Sequence, residues 1–399
     1  MPARHTPIST SPATALPATV PPATPLPATP LAERERLARL RLIRTENVGP
    51  VTFRHLLARY RTAADALDAL PDLARRGGRR RPLTVPTIAD AEREVVAIGR
   101  AGAALMVVGD PGYPPRLAAI DDAPPCISIA GDAALLAGPA IALVGARNAS
   151  VNGCRFAALL ARAFGVAGYA VVSGLARGID AAAHEGALAT GTVAVLAGGI
   201  DVVYPPEHAD LLRRVADSGA VVAEMPVGTV PQARHFPSRN RIIAGLSQGT
   251  VVVEAARRSG SLITARRALD QGREVFAVPG SPLDPRCSGC NALIQEGAAL
   301  LIQDADDVLA VLRTMPGEAR TAGILCEDEP PLRPVETDDP MRRRVLDALG
   351  PEPVPVDELI RGCQLSAPIV ATVLLEAELA GQIDRYPGNL VARRLDTPA

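Results

Sequence analysis

Two short stretches, AIALVGAR at residues 140–147 and AVVSGLARGID at 170–180, decide how this chain folds. Each is a continuous apolar run that ends on a glycine with an arginine just beyond. Apolar runs of this length that do not alternate with polar residues are the mark of strands covered on both faces. The same kind of run returns at 192–196, 221–223, 250–253 and 275–278, and amphipathic segments such as 155–164 and 262–271 lie between them. Strand and helix patterns in alternation predict an α/β chain: a Rossmann-like, doubly wound, mainly parallel sheet over residues 101–313.

Other patterns flank that block. Residues 1–30 are almost wholly Pro, Ala, Thr and Ser, too poor in large apolar side chains to offset the entropy of ordering, and are expected to be a disordered tail. Residues 31–100 carry Leu at helical spacing, as expected of a small helical domain of the SAM or helix-hairpin-helix kind. Asn47-Val48-Gly49-Pro50 fits a hairpin between two of its helices. Two readings of that tetrapeptide stay open, a backbone-contacting hairpin or a Gly49 C-cap followed by a Pro start. The Pro-rich, acidic stretch 314–337 reads as a linker, and the helix, helix, helix, strand order of 338–395 reads as a winged helix.

Composition sets limits. The 399 residues are 48% hydrophobic and 21% charged, with no Trp and 3% aromatics, so the cores must be aliphatic. No apolar run of about 18 residues predicts a membrane helix, and no basic-then-apolar start predicts a signal peptide, so a cytoplasmic protein without membrane contact is expected. The six cysteines (Cys126, Cys154, Cys287, Cys290, Cys326, Cys363) are scattered and read as reduced thiols. Formal net charge is −1, so any affinity for a polyanion must come from local clustering.

The candidate chemistry lies at the carboxyl ends of the strands. Gly145-Ala146-Arg147 and Ser173-Gly174-Leu175-Ala176-Arg177-Gly178 each set an arginine fork beside glycines that let backbone come close, a pairing suited to phosphate. Neither G-x-x-x-x-G-K-[ST] nor G-x-G-x-x-G occurs, so a nucleoside triphosphate or dinucleotide site is not indicated, and no cofactor or metal is expected. A third segment, His235-Phe236-Pro237-Ser238-Arg239-Asn240-Arg241, opens a helix. Arg239 and Arg241 stand about 200° apart around it, so one is expected to reach the ligand while the other crosses to the sheet or orients a loop.

Taken together, V-G-A-R (144–147), S-G-L-A-R-G-I-D (173–180) and F-P-S-R-N-R-I-I-A-G-L-S (236–247) resemble the DprA/Smf family, as do G-I-D-V-V-Y-P-P-E (199–207) and R-E-V-F-A-V-P-G-S (273–281). The resemblance is dense over residues 105–312 and looser on either side. It implies a non-enzymatic protein of DNA processing and natural transformation that protects incoming single-stranded DNA, helps load the RecA recombinase and acts as a homodimer. By the same resemblance the DNA-binding residues would be Gly145, Arg147, Ser173, Gly174, Arg177, Gly178, Phe236, Arg239, Asn240, Arg241 and Asn291. Two departures stand out: G-A-R where G-S-R is usual, and Pro206 where some members carry Lys.

Plainer readings accompany these. Phe236 and Tyr204 are either base platforms or core. Arg177 and Asp180 could form a local ion pair, with Asp180 capping the helix through His184. Cys287-Ser288-Gly289-Cys290 has C-x-x-C spacing but no second pair for zinc. Ser259-Gly260-Ser261 is an anion cradle or an ordinary N-cap. The competing function is a nucleotide-processing enzyme of the phosphoribohydrolase type; its P-G-G-x-G-T-x-x-E motif is missing, although Glu254 follows a suitable strand. A duplex-reading winged helix is the third idea, disfavoured because residues 367–380 hold Glu376 and Glu378 and no basic residue.

Overall fold

The computed structural model describes residues 31–315, 337–386 and 388–394. The expected tail, most of the expected linker and Cys326 lie outside them. Four helices come first: α1 (Glu33–Ile43), α2 (Pro50–Tyr60), α3 (Ala63–Arg76) and α4 (Ile88–Arg100). Their ends follow local chemistry. Thr62 caps α3 by accepting from the Asp65 amide, and Thr87 with Asp90 forms a full capping box on α4. Gly49 is the N-cap of α2 with Pro50 in its first turn, and does not close α1, whose C-cap is Arg44.

The central unit runs β1 (Ala104–Val107), α5 (Pro115–Ala118), β2 (Cys126–Gly131), β3 (Ala140–Gly145), α6 (Val151–Val166), β4 (Ala170–Ser173), α7 (Ile179–Ala187), β5 (Thr192–Gly199), α8 (Ala209–Ser218) and β6 (Ala220–Met225). It continues through α9 (His235–Leu246), β7 (Gly249–Val253), α10 (Ser261–Asp270), β8 (Glu274–Ala277), α11 (Ser288–Gln295), β9 (Leu300–Leu301) and α12 (Ala305–Thr314). The nine strands are ordered β1-β2-β6-β5-β4-β3-β7-β8-β9, with β6 through β9 parallel and β1 and β2 added antiparallel at one edge. Those two edge strands and the two-residue β9 enlarge the six-strand sheet read from the sequence.

Both faces are covered, and the strand period of two explains why the runs look continuous. On β3, Ala140, Ala142 and Val144 pack with α9, α10 and α11, whereas Ile141 and Leu143 pack with α6, α7 and α12. Phe164 of α6 and Phe276 of β8, both fully buried, are the bulkiest buried side chains of the second layer.

The C-terminal unit has α13 (Asp339–Asp347), β10 (Val354–Pro355), α14 (Val356–Cys363), α15 (Ala367–Leu379), β11 (Ile383–Tyr386) and β12 (Leu390–Arg393), a three-helix module with a small antiparallel sheet. This is a winged helix. Val370, Val373, Leu374 and Ala377 of α15 fill its core, but Leu375 and Leu379 lie in the core of the N-terminal helices with Leu42, Phe53, Leu56 and Leu70. No single helix among the described residues is long and apolar enough to cross a membrane. Phe164→Ala, which empties the layer under α6, should lower unfolding free energy by about 3–5 kcal/mol, read as an earlier urea midpoint with an unchanged m-value.

Candidate functional site

A cavity of about 370 Å3 opens at the carboxyl ends of β3, β4 and β5. Arg147 and Asn148 after β3, Gly174, Ala176 and Arg177 after β4, Ala197 and Gly198 at the end of β5 with Tyr204 beyond it, and Phe236 and Arg239 from the first turns of α9 surround it. Each contributor is placed by where its strand ends. Gly145 brings β3 so close to β7 and α7 that a Cβ there would overlap the Val253 carbonyl and Ile179. Gly178, at φ 75°, seats the second loop on the Ala146 and Arg147 carbonyls of the first.

The loop after β4 is clamped from behind. Leu175 sits at φ 56°, a left-handed conformation that a branched side chain rarely takes. Its amide donates to His184 Nε2 at 3.3 Å, and its carbonyl accepts from His208 Nδ1 at 2.9 Å. Because Nε2 accepts, the His184 proton is on Nδ1, facing Thr192 Oγ1 at 2.7 Å, and Thr192 in turn donates to the Val171 carbonyl. Burial, with Arg239 nearby, pushes this imidazole down to about 3.

Arg239 forms the floor. It is 6% exposed, and Gly174 makes room for it: a Cβ at 174 would overlap its guanidinium. The nearest carboxylate is Asp180 at 3.9 Å, outside hydrogen-bonding distance, and the Arg239 Nε has no partner. Burial pushes Asp180 above its ordinary range, while the pull of Arg239 and the Ala176 and Gly174 amides opposes it. Burial likewise lowers Arg239. A buried cation this loosely matched retains attraction for an external anion.

Above the floor lies an aromatic shelf. The Phe236 ring has the Arg147 guanidinium 5.0 Å from its centroid and that of Arg239 at 5.9 Å, and the Tyr204 ring lies 5.7 Å away at a 60° tilt. Arg147 itself is exposed. Two guanidinium groups around two rings, one without a carboxylate partner and one only loosely paired with Asp180, can hold a phosphate and a flat, π-faced group side by side.

The structure sorts the expected residues. Arg147, Gly174, Arg177, Phe236 and Arg239 line the cavity. Ser173 is fully buried and donates to the Leu143 carbonyl, so with Gly145 and Gly178 it builds the loops and does not face the cavity. Asn240 donates to the Gly260 carbonyl, and Asn291 is bonded twice to Gly280. Arg241 leaves in the other direction, bidentate on Glu224 of β6 at 2.6 and 3.0 Å, with Asp122 beside it. Asn148, Pro205, Pro206 and Pro231 also line the wall; nothing local in their sequence marks them.

Several plainer expectations change as well. Arg177 pairs with Glu207, not with Asp180. Gly178 is the N-cap of α7, and Asp180 accepts from the Ala176 amide one turn earlier, tying loop to helix. The N-cap of α10 is Gly260, which has no side chain to cap with, while Ser259 Oγ accepts from the Ser261 amide at 3.4 Å and bonds the Ser261 hydroxyl. Cys290 is buried and donates to the Val252 carbonyl, and no group of three metal-ligating side chains occurs among the described residues. Glu254 accepts from both the amide and hydroxyl of Ser150, the N-cap of α6, and does not line the cavity.

Comparison with known proteins then decides the family. The family model described as DNA recombination-mediator protein A matches residues 104–313, more than half of the chain. The chain belongs to the DprA/Smf family. Its flanks agree: residues 33–97 match the DprA-like N-terminal HHH domain and 329–389 the DprA winged helix domain. Protein Smf of Escherichia coli (strain K12) is 40% identical over 289 residues, covering 71% of this chain and 75% of that protein. DNA processing protein DprA of Bacillus subtilis (strain 168) is 42% identical over 223 residues, 55% of this chain and 75% of that protein. The X-ray structure of DprA from Streptococcus pneumoniae superposes with a TM-score of 0.58 at 35% identity, over 70% of this chain and 98% of that one.

The clamp on this DprA/Smf loop gives a pH signature. A histidine held neutral in the folded state stabilises fully above about pH 6.5 and less as pH falls toward 3, because only the unfolded chain takes up the proton. Between those limits His184 should cost about 1.4 kcal/mol of stability per pH unit. In urea titrations, His184→Gln should flatten the loss of stability between pH 6.5 and 4 relative to wild type.

Proposed function

We propose that this chain is a single-stranded DNA-binding protein of DNA processing and natural transformation, and that the cavity at the ends of β3, β4 and β5 is where it grips the strand. The observation that carries this reading is the under-matched pair of cations, buried Arg239 and exposed Arg147, arranged around the Phe236 ring. A single strand offers both things such a site lacks, phosphate charge and unstacked bases, whereas a duplex hides its base faces. In this reading Arg147 and Arg239 take phosphate oxygens, Phe236 and Tyr204 stack a base, and Arg177 is recruited from its exposed pair with Glu207. Gly145, Ser173, Gly178, Asn240, Arg241 and Asn291 act by holding the loops.

Family membership supports the wider role: protection of incoming strands, delivery to RecA, action as a homodimer in the cytoplasm, and binding without a chemical step or cofactor. Glu254 supports the last point, since its carboxylate is occupied as an anchor for Ser150 at the start of α6. A hydrolase of the phosphoribohydrolase type would need a carboxylate facing its substrate.

The test is salt-dependent binding of wild type and Arg147→Ala to a labelled single strand, a duplex of equal length and a mononucleotide. Wild type should prefer the single strand, and Arg147→Ala should weaken it with a slope shallower by roughly 0.7 for one lost phosphate contact. Binding of the mononucleotide alone, with release of free base, would hand the site to the enzymatic reading. Phe236→Ala should cost about 1–3 kcal/mol of binding if the ring stacks a base. Gly174→Ala, which pushes the Arg239 guanidinium off its floor, should weaken single-strand binding with little change in urea midpoint.

A further inference from the structure

The C-terminus of α3 carries Ala-Arg-Arg-Gly-Gly-Arg-Arg-Arg at residues 74–81, a basic run that the cavity does not use. Arg75 is paired with Asp72, and Arg79 with Glu46 at 2.7 Å. Arg76, Arg80 and Arg81 are exposed, and no carboxylate pairs with them among the described residues.

The winged helix packs against the end of α3. Gly77, C-cap of α3, lies so close under α15 that a Cβ there would overlap the Glu376 carbonyl. Gly78 turns the chain at φ 90°, against Gln382. Asn47 of the hairpin donates to the Leu379 carbonyl at 3.3 Å, and Leu375 and Leu379 complete the N-terminal core. At the same seam Arg394, half exposed and paired with Asp384 at 2.6 Å, comes beside Arg79: both guanidinium groups lie within 4 Å of where a Gly381 Cβ would be, so the unpaired charge of the edge rests on Arg76, Arg80 and Arg81. Two modules therefore place their arginines along one edge.

That edge is connected to the site already described. A cleft of about 1040 Å3 separates the hairpin, the wing and the central unit; Asn47, Tyr386 and Arg394 line one side, Ser238 and Arg267 the other. Ser238 stands in the first turn of α9 between Phe236 and Arg239, so one helical turn borders both the cavity and the cleft. Within the cleft the charges are matched, Arg54 with Asp121, Arg241 with Asp122, Arg385 with Glu378. The cleft offers room, and the arginine edge beyond it offers charge.

We propose that residues 75–81 and Arg394 form a second phosphate-binding surface, a ridge assembled by docking of the winged helix on the N-terminal helices, which holds the continuation of a nucleic-acid strand seated in the cavity. This rests on the single-strand reading of the cavity. It assigns the winged helix a role that needs no recognition helix in a groove, since α15 is buried on both sides. A backbone-only contact of this kind carries no sequence preference and is salt-sensitive.

The experiment compares an oligonucleotide of roughly six nucleotides with one of about 30, beyond the site size of one single-strand module, on the full chain. The triple variant Arg76→Ala/Arg80→Ala/Arg81→Ala changes only exposed side chains. It should leave the short oligonucleotide unaffected and weaken the long one at least fivefold, with a salt slope shallower by up to about 2. Gly77→Ala keeps an ordinary backbone conformation, φ −68°, yet displaces α15, and should reproduce the long-only loss. Equal loss on both lengths, no loss on either, or an unchanged Gly77→Ala would overturn the composite ridge. So would variant-sensitive capture by anionic phospholipid vesicles without any effect of DNA length. Short-oligonucleotide binding that depends on Arg147 upholds the cavity however the ridge fares, and failure of every protein to hold either length removes both.

Discussion

The Arg239 guanidinium is nearly removed from water without a carboxylate in hydrogen-bonding distance, and the surrounding loops are arranged to tolerate that. Gly174 must have no side chain, or the guanidinium has no space. Asp180 must be drawn back toward the Ala176 amide, or it would close on Arg239 and neutralise it. His184 must stay uncharged, because a second buried cation beside Arg239 would have no compensation. Arg241, two residues on, must carry its charge away to Glu224. Glycine, acid, imidazole and second arginine are thus four consequences of one buried charge, which explains why S-G-L-A-R-G-I-D and F-P-S-R-N-R belong together although some 60 residues separate them.

Much of the fold was legible because burial on both faces writes itself into sequence. Ile141 and Leu143 serve one layer and Ala142 and Val144 the other, so β3 could be read from four residues. The edge was not legible. β1 is four residues long, β9 two, and an antiparallel edge strand such as β2 needs no crossover helix to announce it. At the site, Gly-Arg pairs located the right loops, yet a linear pattern cannot say which way a side chain points. Ser173 and Arg147 looked equally promising; one is wholly enclosed and the other is open to solvent. The wall formed by Tyr204 and the prolines after it comes from a loop whose proximity to Phe236 exists only in three dimensions.

The acidic residues of the winged helix are explained by pairing within the fold. Glu376 and Glu378 carry little free charge toward a DNA groove, since Glu376 pairs with Arg342 at 2.8 Å and Glu378 with Arg385 at 2.7 Å. Most of α15 is buried. Eight of its thirteen residues are buried, shared between two cores, and only Ala367 and Pro368 at its start are exposed, as a helix apolar nearly all round requires. The acidic residues are there because buried arginines from α13 and β11 need partners, and one Glu376 oxygen is left without any.

Net charge is a poor guide for the same reason that single motifs are. With 42 basic and 43 acidic residues the chain has almost no field at long range, and at physiological ionic strength charges beyond about 8 Å are screened in any case. What a polyanion meets is the local remainder after pairing. In the cleft that remainder is close to zero, because Asp121, Asp122, Glu378 and Asp384 each face an arginine. It is positive where carboxylates are distant: at Arg147 and Arg239, where Asp180 comes no nearer than 3.9 Å, and at Arg76, Arg80 and Arg81, which no acid pairs among the described residues. A near-neutral protein can therefore present two separated groups of under-paired arginines, Arg147 with Arg239 and Arg76 with Arg80 and Arg81, whatever its net charge.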